Sequence, residues 1–200
     1  MKLYLATGNA KKLKELQAII SEAELPIQVE NATALGGMPE VEEDAGTFSG
    51  NALKKAKALL ARASGDTWVL ADDSGLCVDA LDGDPGVYSA RYAGEGASDA
   101  ANVDKLLREL TGVETKKRGA AFVCVLALVR KSEEPRFFEG SCEGRITDER
   151  FGEGGFGYDP VFVPQGRDRT FAELTSATKA ELSHRGKALQ KFIAWAKERG

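Results

Sequence analysis

The sequence predicts an α/β fold, and three observations carry that expectation. Leu3-Tyr4-Leu5-Ala6 is a short apolar run broken at Thr7-Gly8-Asn9. It is followed by Leu13, Leu16, Ile19 and Ile20 at helical spacing, so a strand leads into a helix over about 9–22. Val69-Leu70-Ala71 is a second buried run, ending in Asp72-Asp73-Ser74-Gly75. Residues 120–129 and 136–144 read as a long β-hairpin about the turn Lys131-Ser132-Glu133-Glu134-Pro135.

Between these landmarks each element has its own signal. Residues 23–46 carry Pro26, Gly36-Gly37, Pro39 and Gly46, loop chemistry around one strand near Ile27-Gln28-Val29. Thr47 is placed to cap a second helix to about Arg62, with Ala52, Ala56, Leu59, Leu60 and Ala63 as its buried stripe. Asp-Ser-Gly is turn chemistry, so the strand at 69–71 is expected to stop there and Leu76-Cys77-Val78 to return as another. A turn at 82–86 precedes a third helix over about 99–110, and Leu189, Phe192, Ile193 and Ala196 mark a C-terminal one.

Two hundred residues at 42% hydrophobic are ample for one domain, compact or two-lobed, and the whole chain is taken as one. A net charge of −4 argues against a surface that coats nucleic acid. No apolar stretch approaches a membrane span, and Met1-Lys2 leads straight into a strand without a signal-peptide pattern. Cys77, Cys124 and Cys142 lack the paired spacing of a zinc site and read as reduced thiols in a cytoplasmic protein.

Several stretches carry chemistry. Thr7-Gly8-Asn9-Ala10 at a helix start offers free N–H groups and the helix dipole to an anion, with Lys11 and Lys12 adding charge. The same lysines also read as a solvated pair, and successive helical residues point about 100° apart, so one of them faces the turn. Asp72 and Asp73 point to opposite faces of an extended chain, one towards a cleft and the other tied to backbone. Close carboxylates suit Mg²⁺, a hard ion that prefers oxygen. Glu42 or Glu43, in the acidic run 40–44, is a candidate third carboxylate, and a solvated acidic face is the plainer reading. Lys54, Lys55 and Lys57 lie off the second helix's buried stripe; solvent is their plainer place, and at least one is expected to reach an anion beside the carboxylates. Phe156 and Tyr158 in a glycine-rich loop offer flat faces on which a base can stack, and Asp159 an acceptor. Lys179 and Ser183-His184-Arg185 open the last helix, with donors suited to a purine carbonyl or a phosphate.

Five stretches, 7–12, 71–76, 85–92, 154–160 and 183–185, stand in the order and wording of a known family. The chain resembles the inosine/xanthosine triphosphate pyrophosphatases. The resemblance implies an elongated, two-lobed mixed β-sheet flanked by helices, an active-site cleft between the lobes, and a homodimer. It implies Mg²⁺-dependent cleavage of XTP, ITP or dITP between the α and β phosphates. Carried over by position, Thr7, Gly8, Asn9, Ala10, Lys11 and Lys12 hold the phosphates, and Lys55 matches the family's helix lysine. Asp73 is the proton acceptor and a metal ligand, Glu42 the second metal-side carboxylate with Glu43 close behind, and Ser74 lies beside the substrate. Phe156, Gly157, Tyr158 and Asp159 bind base and sugar, and Lys179, His184 and Arg185 complete the base pocket. Rival readings are a nucleotide-binding regulator without turnover and an aspartyl phosphomonoesterase. One departure stands out. The family's Thr-Phe-x-Glu-Asn-Ala is here Thr47-Phe48-Ser49-Gly50-Asn51-Ala52, which removes a capping-box glutamate and leaves its work to Glu42, Glu43 or Asp44.

Overall fold

A computed structural model describes residues 1–199, without the side chains of Lys11 and Glu15. Six strands form one sheet in the order β2-β1-β3-β4-β5-β6. They are β1 Lys2–Leu5, β2 Gln28–Asn31, β3 Trp68–Val78, β4 Gly119–Arg130, β5 Glu133–Ile146 and β6 Phe162–Pro164. β1 pairs in parallel with both β2 and β3, while β5 and β6 are antiparallel, so the sheet is mixed. The helices are α1 Ala10–Glu22, α2 Phe48–Leu60, α3 Asp99–Glu109, α4 Ser176–Leu182 and α5 His184–Arg199. The expected hairpin is β4 and β5, joined by Lys131-Ser132 alone.

The chain divides into two compact units, and β3, β4 and β5 each contribute residues to both. The first comprises Met1–Asp73, Cys124–Glu139 and Ala188–Gly200. Its sheet is covered on both faces, and the period of two along each strand decides what meets what. Leu3, Leu5, Trp68, Leu70, Leu126 and Leu128 pack with Leu16 and Ile20 of α1 and Phe192 and Ile193 of α5. The alternate residues Tyr4, Ala6, Val69, Ala71, Ala127 and Val129 pack with Ala52, Ala56 and Leu59 of α2.

The second unit comprises Ser74–Val123 and Gly140–Lys187. Val103, Leu106 and Leu110 of the α3 segment pack on Leu76, Val78, Phe122, Ile146 and Phe162. The last turn of α3 is closed by buried Arg118, whose guanidinium donates to the carbonyls of Leu110, Val113 and Thr147 at 2.9–3.0 Å. A buried arginine costs several kcal/mol unless its donors are taken, and here three carbonyls take them.

The expected break at Asp-Ser-Gly does not occur. β3 runs without interruption from Trp68 through Asp72, Asp73, Ser74 and Gly75 to Val78. The aspartates stay in a strand because a lysine ammonium meets each of them, and strand preference is a matter of such context. Ser89 helps further along: its hydroxyl accepts from Leu76 N–H at 2.8 Å.

Candidate active site

The alternation of β3 sorts its two carboxylates. Asp72 shares the parity of Trp68 and Leu70, the face covered by α1, and Lys12 of α1 reaches it at 2.7 Å. Asp73 shares the parity of Val69 and Ala71, the face covered by α2, and Lys55 of α2 reaches it at 2.7 Å. Both aspartates are buried. The expectation of opposite faces is met, and Lys12 holds Asp72 on its own face.

Around Asp73 the first unit gathers a compact cluster. Lys55 Nζ bonds Asp73 Oδ1 and also lies 3.4 Å from Glu43 Oε2. Asn51 Nδ2 donates to Asp73 Oδ2 at 3.3 Å. Burial pushes the Asp73 carboxyl above its ordinary value, Lys55 opposes that, and Glu43 adds to it. Burial pulls the Lys55 ammonium down, but Asp73, then Glu43 and Asp72, outweigh it and hold the ammonium above its usual value. The result is a carboxylate with more than ordinary proton affinity beside a lysine that stays charged.

Of the two candidate glutamates, Glu43 is the one beside Lys55, its Oε2 3.4 Å from the ammonium. Glu42 is exposed, and its backbone carbonyl accepts from Lys54 Nζ at 3.1 Å. Adjacent residues of an extended loop diverge, so one glutamate of the pair turns in and the other out. Among the described residues no three His, Cys, Asp or Glu side chains form a ready metal cage. The donor chemistry still fits Mg²⁺, which binds through one or two carboxylates with substrate phosphates completing its shell. Lys55 Nζ already occupies a cation position between Asp73 and Glu43.

At the N-terminus of α1, Gly8, Asn9 and Ala10 are exposed, and Thr7 Oγ1 accepts from Asn9 N–H at 3.1 Å. The turn therefore presents the first helical N–H groups outward. Lys11, whose side chain lies outside the described residues, is the neighbour of Lys12 there. The missing capping-box glutamate leaves the second helix intact: Thr47 Oγ1 accepts from Gly50 N–H at 3.1 Å. A Cβ on Gly50 would stand 2.6 Å from Ala45 Cβ, so the loop that carries Glu43 occupies the room a side chain would need.

The second unit holds the other named residues. Phe156 is 48% exposed, with Lys179 Nζ 4.6 Å from its ring centroid. Lys179 also forms an ion pair with buried Asp159, which accepts from Phe156 N–H at 2.8 Å. Gly155 is obligatory, because at its φ of +76° any Cβ would run into the Asp159 carboxylate. Gly157 N–H donates to Asp99 Oδ2 at 2.7 Å. His184 lies flat on Phe122, centroids 4.8 Å apart and planes 10° apart, and Arg185 follows it, half-buried, on the first turn of α5. Ser183 caps that helix, its Oγ accepting from Gly186 N–H at 3.0 Å. Ser74 Oγ is buried with no hydrogen-bond partner among the described residues.

Tyr158 is not a stacking face. It is 5% exposed, packs in the second unit's core, and its hydroxyl donates to Ser89 O at 2.9 Å. One residue absent from the expected site belongs near it, and one of the helix lysines serves the acidic loop. Asn51 holds Asp73 and Lys54 holds the acidic loop, and the Asn in Thr-Phe-x-x-Asn-Ala was the only sequence signal for the former.

The Ham1 family model matches residues 3–195. A dITP/XTP pyrophosphatase of Opitutus terrae is 51% identical over 98% of this chain and 99% of its own. One of Shouchella clausii is 49% identical over 94% and 92%. Among solved structures, a HAM1 protein of Coxiella burnetii superposes with a TM-score of 0.91 at 38% identity, covering 99% of both chains. The Ham1 protein of Staphylococcus aureus gives 0.90 at 38% identity over the whole of both. The chain belongs to the Ham1 family.

Proposed function

We propose that this protein is a nucleoside triphosphate pyrophosphatase that hydrolyses XTP, ITP and dITP to the monophosphate and pyrophosphate, clearing deaminated purines from the nucleotide pool. The observation that carries the reading is the buried Asp73, held between Lys55 and Asn51 with Glu43 close by. Relatives about half identical in sequence bear the name dITP/XTP pyrophosphatase.

Asp73 takes the proton of a water as its oxygen forms a bond to the α-phosphorus. The bond from that phosphorus to the bridging oxygen breaks, and the electron pair leaves with pyrophosphate. A positioned base of this kind is worth about 10²–10⁴-fold. Thr7 to Lys12 hold phosphate through the α1 N-terminus, and the Lys12 and Lys55 ammonium groups offset charge on the leaving group. Mg²⁺, held by Asp73 and Glu43, would supply Lewis-acid neutralisation of the phosphate oxygens.

Base recognition falls to the second unit. Phe156 stacks on the purine, and Lys179, His184 and Arg185 supply donors for the 6-keto oxygen. Adenine carries an amine at that position, and a buried donor facing a donor is heavily penalised. The chain acts as one domain, as a homodimer in the cytoplasm, on a free nucleotide. Light scattering on the purified protein reads the assembly. Pyrophosphate release from a panel of triphosphates, with and without Mg²⁺, tests the reaction. Release of orthophosphate instead would favour a phosphomonoesterase, and binding without release a regulator.

A further inference from the structure

We infer that Asn51 is a positioning residue that clamps the Asp73 carboxylate and ties the Glu43-bearing loop to it. The inference rests on the reading of Asp73 as the base of the reaction. Asn51 is the fourth residue of α2 and is wholly buried, although asparagine is a poor choice for a helix and a buried amide must be satisfied. Its two ends face different partners. Oδ1 accepts from Ala45 N–H at 3.0 Å, while Nδ2 donates to Asp73 Oδ2 at 3.3 Å. A backbone N–H can only donate, so the Ala45 contact sets the orientation of the amide and leaves its NH₂ for the carboxylate. Lys55 takes the other oxygen of Asp73, so both are held and the side chain has no free rotation about its last bond.

The same residue organises the acidic loop. Ala45 lies against Gly50, where no side chain fits, and it stands two residues beyond Glu43. Lys54 fastens the loop again through Glu42 O and through an ion pair with Asp44, and Lys55 meets Glu43 itself. Three side chains within two turns of α2 thus hold the loop: Lys55 joins the Glu43 side chain to Asp73 through its ammonium, and Asn51 joins the loop's backbone to Asp73 through the opposite ends of one amide. Gly50 belongs to the same device: it admits Ala45 to the position from which its N–H reaches the amide.

Two substitutions separate the two ends. In Asn51→Asp the Ala45 N–H keeps an acceptor, whereas Asp73 Oδ2 loses the amide donor and faces a like charge. We expect kcat to fall about tenfold or more with KM little changed, while the Ala45 amide keeps its protection from hydrogen exchange. In Asn51→Ala both ends are lost, so kcat falls and the Ala45 amide exchanges about tenfold faster. In the unsubstituted protein the Asn51 side-chain NH₂ should exchange slowly, and faster in Asp73→Ala, a reading that needs neither turnover nor an Asn51 variant. Wild-type kcat in Asn51→Asp, an unprotected Ala45 amide in the unsubstituted protein, or a side-chain exchange rate indifferent to Asp73→Ala would each overturn the inference. If the unsubstituted protein releases no pyrophosphate from any triphosphate, the proposed reaction fails by itself, and the exchange rates still decide the role of Asn51.

Discussion

Each unit buries an aspartate against a lysine, and the two pairs differ in what surrounds them. Asp73 and Lys55 stand among further charges: Glu43 on the same lysine, and Asp72 with Lys12 on the opposite face of the strand. Carboxylates outnumber ammonium groups around Lys55, so the cluster retains a demand for positive charge. Asp159 and Lys179 stand instead beside an exposed aromatic ring and a backbone N–H. That pair is balanced, and its lysine lies over Phe156 rather than over a second acid. An acid-rich cluster attracts a cation and the phosphates it accompanies, while a balanced pair beside a ring suits a flat, neutral base. The way each is built differs too. Strand alternation aims Asp73, so its direction follows from the sheet, whereas the Asp159 pocket depends on Gly155 at positive φ.

The comparison is broken most sharply at Asp73. Asp73→Asn keeps the size and loses the base, so kcat should fall about 10²–10⁴-fold while circular dichroism shows the fold retained. Asp159→Asn should not abolish turnover to the same extent. Lys55→Met comes next. It leaves Asp73 and Glu43 facing each other in a mostly buried place, at a cost of about 3 kcal/mol read in urea unfolding. Phe156→Ala should raise KM about tenfold with a much smaller change in kcat, as expected for a lost stacking face. His184→Ala should act in the same sense, chiefly on discrimination between ITP and ATP.

The smallest effect is in the pH profile, and its sign is specific. Turnover needs Asp73 ionised, and burial together with Glu43 places its proton affinity above the ordinary carboxylate level. Activity is therefore lost on acidification, at a pH above the usual 3.8 of an aspartate. Glu43→Gln removes a like charge and should move that acid limb to lower pH. Lys55→Met removes the opposing cation and should move it upward. Glu42→Gln should leave the limb in place, because that side chain faces solvent.

Much of this was legible in the sequence because periodicity records what faces what. The strand-helix start at Leu3–Ile20, the Thr47 cap and the long hairpin are local signals, and local signals survive folding. The opposed faces of Asp72 and Asp73 followed from the period of two alone. The continuity of β3 did not, because Asp-Ser-Gly reads as a turn until Lys12 and Lys55, far away in sequence, are seen to meet its charges. Glu42 and Glu43 could not be told apart, since nothing local sets which member of an adjacent pair turns in; Asn51 and Lys54 do so from α2. Tyr158 looked like Phe156 by type, and its burial depends on distant partners, the second unit's core and the Ser89 carbonyl that takes its hydroxyl.

The most direct test of the account is the product released from dITP by the unsubstituted protein and by Asp73→Asn, measured with and without Mg²⁺. The account predicts pyrophosphate and dIMP from the unsubstituted protein with Mg²⁺, and almost none from the variant. Orthophosphate as the product, or an Asp73→Asn variant that turns over dITP at the unsubstituted rate, would contradict it.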